Sequence, residues 1–76
     1  MSEFKMPKMD HLSEESTVVK WLKQEGETVN KGDYIVTIET GKAVFDVEST
    51  LSGTITKIVV EEDTEVPVGT VIAYIE

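Results

Sequence analysis

Lys42 is the residue in this 76-residue chain whose surroundings most suggest chemistry: it sits in Thr40-Gly41-Lys42-Ala43, among small neighbours that leave its amine accessible. Catalytic lysines are activated by an apolar pocket or a nearby cation, and neither accompanies Lys42. An unactivated, protruding amine is a poor catalyst and a good attachment point. The other chemical residue types are sparse. With no cysteine and one histidine, His11, there is no thiol chemistry and no Cys/His metal set. His11 is read as a solvated loop residue rather than a proton shuttle. The acidic cluster Glu61-Glu62-Asp63-Glu65 lacks the alternating ligand spacing of a calcium loop and is read as a solvated turn. Glu39, Asp46 and Glu48 lie near Lys42, but without a pocket they do not form a general acid/base pair. Trp21 has no accompanying aromatic stripe and is read as a packing residue.

Composition narrows the function classes. The length allows one domain with a thin core. Fifteen acidic residues against seven lysines, with no arginine, give a formal charge of −8. That field opposes binding to nucleic acid or an anionic membrane. No apolar run reaches membrane-spanning length, and Met1-Ser2-Glu3-Phe4-Lys5 has no signal-peptide character. The absence of thiols fits a reducing interior. The expectation is a monomeric cytoplasmic domain, or one of the mitochondrial matrix in a eukaryote.

The element that must position Lys42 emerges from an internal repeat. Residues 17–39, TVVKWLKQEGETVNKGDYIVTIE, align without a gap on residues 54–76, TITKIVVEEDTEVPVGTVIAYIE, at an offset of 37. Eight of the 23 pairs are identical, among them Thr17/Thr54, Glu25/Glu62, Gly32/Gly69 and Ile38/Ile75. Ahead of each copy, Phe4-Lys5-Met6 matches Phe45-Asp46-Val47 at an offset of 41, which assigns four extra residues to the loop Lys8–Ser16. Neither half can bury its own apolar face, so the two should pack about a pseudo-two-fold axis.

Runs rich in Val, Ile, Thr and aromatics at 17–22, 34–38, 43–47, 54–60 and 71–75 predict strands separated by turn signals. Gly32 and Gly69 share a place in the two copies, where a turn calls for positive φ. Both alternation registers of 17–23 contain apolar residues, so its inward face stays open. The reading is all-β: a flattened barrel of two roughly four-stranded antiparallel sheets. Thr40–Ala43 then joins two strands in a tight hairpin at the junction of the halves. With Gly41 and Lys42 at its centre, a type II′ turn is expected.

The whole chain resembles a lipoyl domain of the acyltransferase (E2) component of 2-oxo acid dehydrogenase complexes. The resemblance rests on Glu39-Thr40-Gly41-Lys42-Ala43, on Met6-Pro7-Lys8-Met9, on Val18-Val19-Lys20-Trp21-Leu22 with Glu25-Gly26, and on Gly53 and Gly69, spanning roughly residues 3–76. It implies a barrel-sandwich hybrid fold and lipoate in amide linkage to Lys42, with Glu39, Thr40, Gly41 and Ala43 presenting it. The arm would accept an acyl group from a thiamine-diphosphate-dependent 2-oxo acid dehydrogenase, deliver it to coenzyme A at the acyltransferase catalytic domain, and be reoxidised by dihydrolipoyl dehydrogenase. A lipoate ligase or lipoyl transferase would load it. The chain itself would be a non-catalytic carrier, residues 1–76 forming one domain of a larger acyltransferase. By the same resemblance Met9, His11 and Leu12, in the long loop, are candidate partner-recognition residues. The opening and Val18–Trp21 look nearer to pyruvate- or acetoin-type domains than to 2-oxoglutarate ones.

One departure stands out: the family usually has aspartate where this chain has Gly41, and the glycine is expected to make the tip more mobile and to alter recognition by the loading enzyme or the dehydrogenase. Two other readings share the fold. A biotin carrier typically sets its lysine between methionines, unlike Gly41 and Ala43. An unmodified interaction module would have lost attachment altogether.

Overall fold

The computed structural model describes residues 2–9 and 14–76, and the regular elements among them are all strands. They are β1 (Ser2–Lys5), β2 (Glu15–Trp21), β3 (Thr28–Val29), β4 (Tyr34–Glu39), β5 (Val44–Glu48), β6 (Gly53–Ile58), β7 (Thr64–Pro67) and β8 (Val71–Ile75). Two antiparallel four-stranded sheets result, ordered β1-β8-β6-β3 and β5-β4-β2-β7. This is the expected all-β barrel-sandwich. The short β3 and β7, at equivalent places in the two repeats, are strands that the residue pattern does not announce. Pro67 ends β7 at a sheet edge, where a missing N–H is tolerated.

Each sheet mixes the halves. β4 and β2 of the first repeat are flanked by β5 and β7 of the second; β8 and β6 of the second are flanked by β1 and β3 of the first. The register carries the two-fold down to single residues. Thr17 pairs with Glu39, and Thr54 exchanges hydrogen bonds with Glu76 at 2.8 and 2.9 Å. Gly32 and Gly69 have φ of +99° and +92°, as expected.

Both β2 and β6 are irregular at the same point, between Val18 and Lys20 and between Ile55 and Lys57. A bulge of this kind resets which side of the strand faces inward. Val18 and Trp21, three residues apart, are therefore both buried while Lys20 is exposed. That resolves the open face of 17–23: the strand uses one alternation before the bulge and the other after it. Trp21 is the packing residue expected, and its indole Nε1 donates to Val60 O at 2.8 Å.

The register corrects the alignment ahead of the repeats. Phe4 stands opposite Ala73, and Val47 opposite Val36, the residue equivalent to Ala73. Met6 N donates to Thr70 O and Ser49 N to Asp33 O, again an equivalent pair of acceptors. Phe4 thus corresponds to Val47 and Met6 to Ser49, an offset of 43 rather than 41, so the first half carries six extra residues, not four. The matching phenylalanines mislead because Phe4 is buried in the core whereas Phe45 is only partly covered.

Where β2 and β6 end, each half closes the other's open main chain. Glu62 Oε2 accepts from Trp21 N at 3.0 Å, and Glu25 Oε2 accepts from Ile58 N at 2.7 Å. One residue on, Asp63 N donates to Val18 O at 2.6 Å and Gly26 N to Ile55 O at 2.7 Å. The turn at 61–63 is solvated as expected, yet through Glu62 it also holds the fold together. Gly53 meets a different constraint. Its φ is +153°, and a Cβ there would collide with the Glu76 carbonyl oxygen.

Two stability outcomes follow. Gly53→Ala should cost about 2 kcal/mol in a urea melt, through backbone strain and overpacking. Glu25→Ala and Glu62→Ala should each cost about 1 kcal/mol, whereas Glu61→Ala, in the same cluster without such a bond, should leave the midpoint unmoved.

Candidate attachment site

β4 and β5 pair from Tyr34/Glu48 up to Glu39/Val44, and Thr40 N donates to Ala43 O at 2.9 Å to close the link. Gly41 and Lys42 form the tip, at the junction of the two halves, as the repeat requires. The base is firm because Glu39 also pairs with Thr17 on the neighbouring β2.

The turn itself differs from the expected type II′, which needs positive φ at Gly41. Among the described residues positive φ is confined to Gly26, Gly32, Gly53, Gly69 and Asp63. The reason lies in Thr40. Its Oγ1 accepts from Lys42 N at 3.2 Å and from Ala43 N at 3.3 Å, and donates to Ala43 O at 3.4 Å. A side-chain hydroxyl so placed replaces the carbonyl acceptor of a simple hairpin turn. The main chain therefore has no need of the mirror-image conformation. Thr40 is only 6% exposed, while Gly41, Lys42 and Ala43 are all exposed. A Cβ on Gly41 would meet nothing within 4 Å.

Among the described residues no hydrogen bond or ion pair engages Lys42 Nζ; the one ion pair is between Lys5 and Glu3. Glu39 and Glu48 point to solvent, and Asp46 Oδ1 accepts from Thr37 Oγ1 at 2.7 Å across the strand pair. Val44, beside the tip, is an exposed apolar residue at 57%. The open groove lined by Trp21, Gln24, Ile58, Glu61, Glu62 and Asp63 lies where β2 and β6 end and shares no residue with the hairpin. Among the described residues no group of three or more His, Cys, Asp or Glu could hold a metal, and no helix is long and apolar enough to cross a membrane. Of the long-loop candidates, Met9 is partly buried against the core, while His11 and Leu12 lie outside the described residues.

The hairpin offers the exposed Lys42 amine on a firm base, with no pocket around it. It suits covalent attachment of a group that must leave the surface. Sequence reasoning anticipated the hairpin and the exposed place of Lys42 at its tip; it missed the tie made by Thr40, whose signal was a hydroxyl residue two positions before the lysine. Because Gly41 needs neither its φ nor its lack of a Cβ, Gly41→Ala should leave stability within about 0.5 kcal/mol in a thermal melt.

Comparison with known proteins agrees with this geometry. The family model described as biotin-requiring enzyme, covering biotin and lipoyl attachment, matches residues 2–75. A protein of Rhizobium meliloti (strain 1021) named pyruvate dehydrogenase E1 component subunit beta is 46% identical over 74 residues, 96% of this chain and 16% of that protein. The dihydrolipoyllysine-residue acetyltransferase component of pyruvate dehydrogenase complex from Zymomonas mobilis is 44% identical over 93% of this chain and 16% of its own length. That of the acetoin cleaving system from Pseudomonas putida is 40% identical over 92% of this chain and 19% of its own length. The chain thus spans roughly a sixth of the length of the curated relatives it matches. Among solved structures, the lipoyl domain of the 2-oxoglutarate dehydrogenase complex from Azotobacter vinelandii superposes with a TM-score of 0.78 at 32% identity, covering 97% of this chain and 94% of that one. The chain belongs to the biotin- and lipoyl-attachment domain family, and its kin there are lipoyl domains.

Proposed function

We propose that this chain is a lipoyl-carrying domain of a 2-oxo acid dehydrogenase complex of pyruvate or acetoin type, with lipoate in amide linkage to Lys42. The observation that carries the reading is the exposed Lys42 amine, without an ion-pair or hydrogen-bond partner among the described residues, at the tip of the hairpin joining the two repeats. When attached, lipoate supplies a dithiolane that can be reductively acylated and later reoxidised. The chain's own residues hold and present the arm. Glu39 and Val44 anchor the hairpin, Thr40 ties the turn, and Gly41 and Ala43 leave the approach to Lys42 open. Tethering raises the local concentration of the carried group at each partner without any pocket on the carrier. Amide formation removes the Lys42 charge and takes the formal charge from −8 to −9.

The partners in this reading are a lipoate ligase or lipoyl transferase, a thiamine-diphosphate-dependent 2-oxo acid dehydrogenase, an acyltransferase catalytic domain and dihydrolipoyl dehydrogenase. The domain is a non-catalytic segment of a longer acyltransferase chain, which the names of the Zymomonas and Pseudomonas relatives support. The Rhizobium relative indicates that such a segment also accompanies an E1 subunit. In this reading Met9, His11 and Leu12 take part in recognition of the carrier by the dehydrogenase. Lipoate is favoured over biotin because Lys42 stands between Gly41 and Ala43 rather than between methionines, and because these acetyltransferase relatives are dihydrolipoyllysine proteins.

Intact-mass measurement tests this directly. Incubated with a lipoate–protein ligase, lipoate and ATP, the chain should gain one lipoyl group, and Lys42→Ala should gain none. Biotin ligase with biotin should add nothing. A biotin increment alone would assign a biotin carrier, and no increment with either enzyme would assign an unmodified interaction module.

A further inference from the structure

Two lysines sit in tight turns with exposed side chains, Lys31 in Asn30–Asp33 and Lys42 in Thr40–Ala43. The main chain treats them differently. Lys31 N donates to Ser52 Oγ at 2.8 Å, and the next amide, Gly32 N, donates to Ser49 O at 2.9 Å. The Lys31 turn is thereby fastened to the neighbouring 49–52 loop. At the Lys42 turn the corresponding amides, Lys42 N and Ala43 N, both end on Thr40 Oγ1 inside the same four residues. The hydrogen bonds of this turn are thus made within its own four residues rather than to a neighbouring loop.

We propose that the Thr40 hydroxyl is the positioning group that makes Lys42 the attachment site, by fixing the tip through hydrogen bonds that stay within the turn. This rests on the lipoyl reading and extends it to the residue that determines where loading occurs. In that loading an ATP-dependent ligase joins the adenylate-activated carboxyl of lipoate to Lys42 Nζ; the amide bond forms, and AMP and a proton leave. Residue 41 has no part in the positioning, since Gly41 makes no side-chain contact and adopts no left-handed conformation. The buried Thr40 side chain offers a methyl and a hydroxyl, and only the hydroxyl bonds to the turn.

Those two halves of the side chain can be separated. Thr40→Val keeps the branched shape and removes the hydroxyl; Thr40→Ser keeps the hydroxyl and removes the methyl. With ligase, lipoate and ATP, Thr40→Val should lower kcat/KM for loading by about tenfold, the effect of losing the hydroxyl's three long, weak hydrogen bonds. Thr40→Ser should load within about twofold of the parent, and so should Gly41→Asp, against the expectation from sequence that the glycine alters recognition by the loading enzyme. Amide hydrogen exchange at Lys42 and Ala43 should accelerate in Thr40→Val and not in Thr40→Ser. Thr40→Ala, run in parallel with circular dichroism of every variant, preserves the comparison if valine unfolds the domain. A Thr40→Val domain that loads as fast as a parent that itself loads normally overturns the assignment alone. Thr40→Ser as slow as Thr40→Val overturns it too, by assigning the effect to methyl packing. A parent that takes up no lipoate overturns the lipoyl reading and this assignment with it.

Discussion

The structure depends on an exchange: neither repeat can satisfy its own main chain. The amide of Trp21 ends on a carboxylate of the second half and that of Ile58 on a carboxylate of the first. β7 completes the sheet of β2, and β3 completes that of β6. A lone half would leave these main-chain groups to water and its apolar face uncovered, losing both the exchanged hydrogen bonds and the shared core. In a chain of 76 residues, where the core is thin, reciprocal closure does much of what a larger interior does elsewhere. It also makes folding all-or-none, because each sheet needs strands from both repeats.

The site inherits its firmness from that exchange. β4 lies between β5 and β2, and β2 is held in turn by β7 from the other half. The lysine backbone therefore rises from a strand paired on both sides, while its side chain is exposed and makes no hydrogen bond or ion pair among the described residues. Rigidity below and freedom above suit a carrier, whose role is to offer one group to several partners in turn. A pocket around the amine would oppose this by retaining the carried group. The high negative charge keeps the body soluble and discourages contact with acidic surfaces.

Much of this was readable from residue types, and the parts that were not have physical causes. The five longer strands are dense in β-branched residues and stand out. β3 and β7, in contrast, are strands only because the opposite half pairs with them, a fact no local pattern carries. Phe4 and Phe45 look equivalent by type, but the ladder register makes Phe4 equivalent to Val47, since burial and pairing decide correspondence rather than chemical likeness. The expected type II′ turn rested on Gly41 alone and overlooked a neighbouring hydroxyl able to accept two amides. Likewise Glu25 and Glu62 read as ordinary surface acids, because their partners lie 33 and 41 residues away.

Duplication also separates scaffold from function. The turn at Asn30–Asp33 has a counterpart at Pro67–Thr70, with the same i to i+3 bond (2.9 and 3.1 Å) and a left-handed glycine in each. The bulges in β2 and β6 likewise come in pairs. Features that occur twice serve the two-fold, and a lysine such as Lys31 on one of them is matched by Val68 on the other without consequence for the fold. The Thr40–Ala43 link occurs once, because it joins the copies instead of belonging to either. The connection from β1 to β2 is likewise unmatched, being six residues longer than its counterpart. Lys42 stands on the joining hairpin, the feature that neither copy repeats.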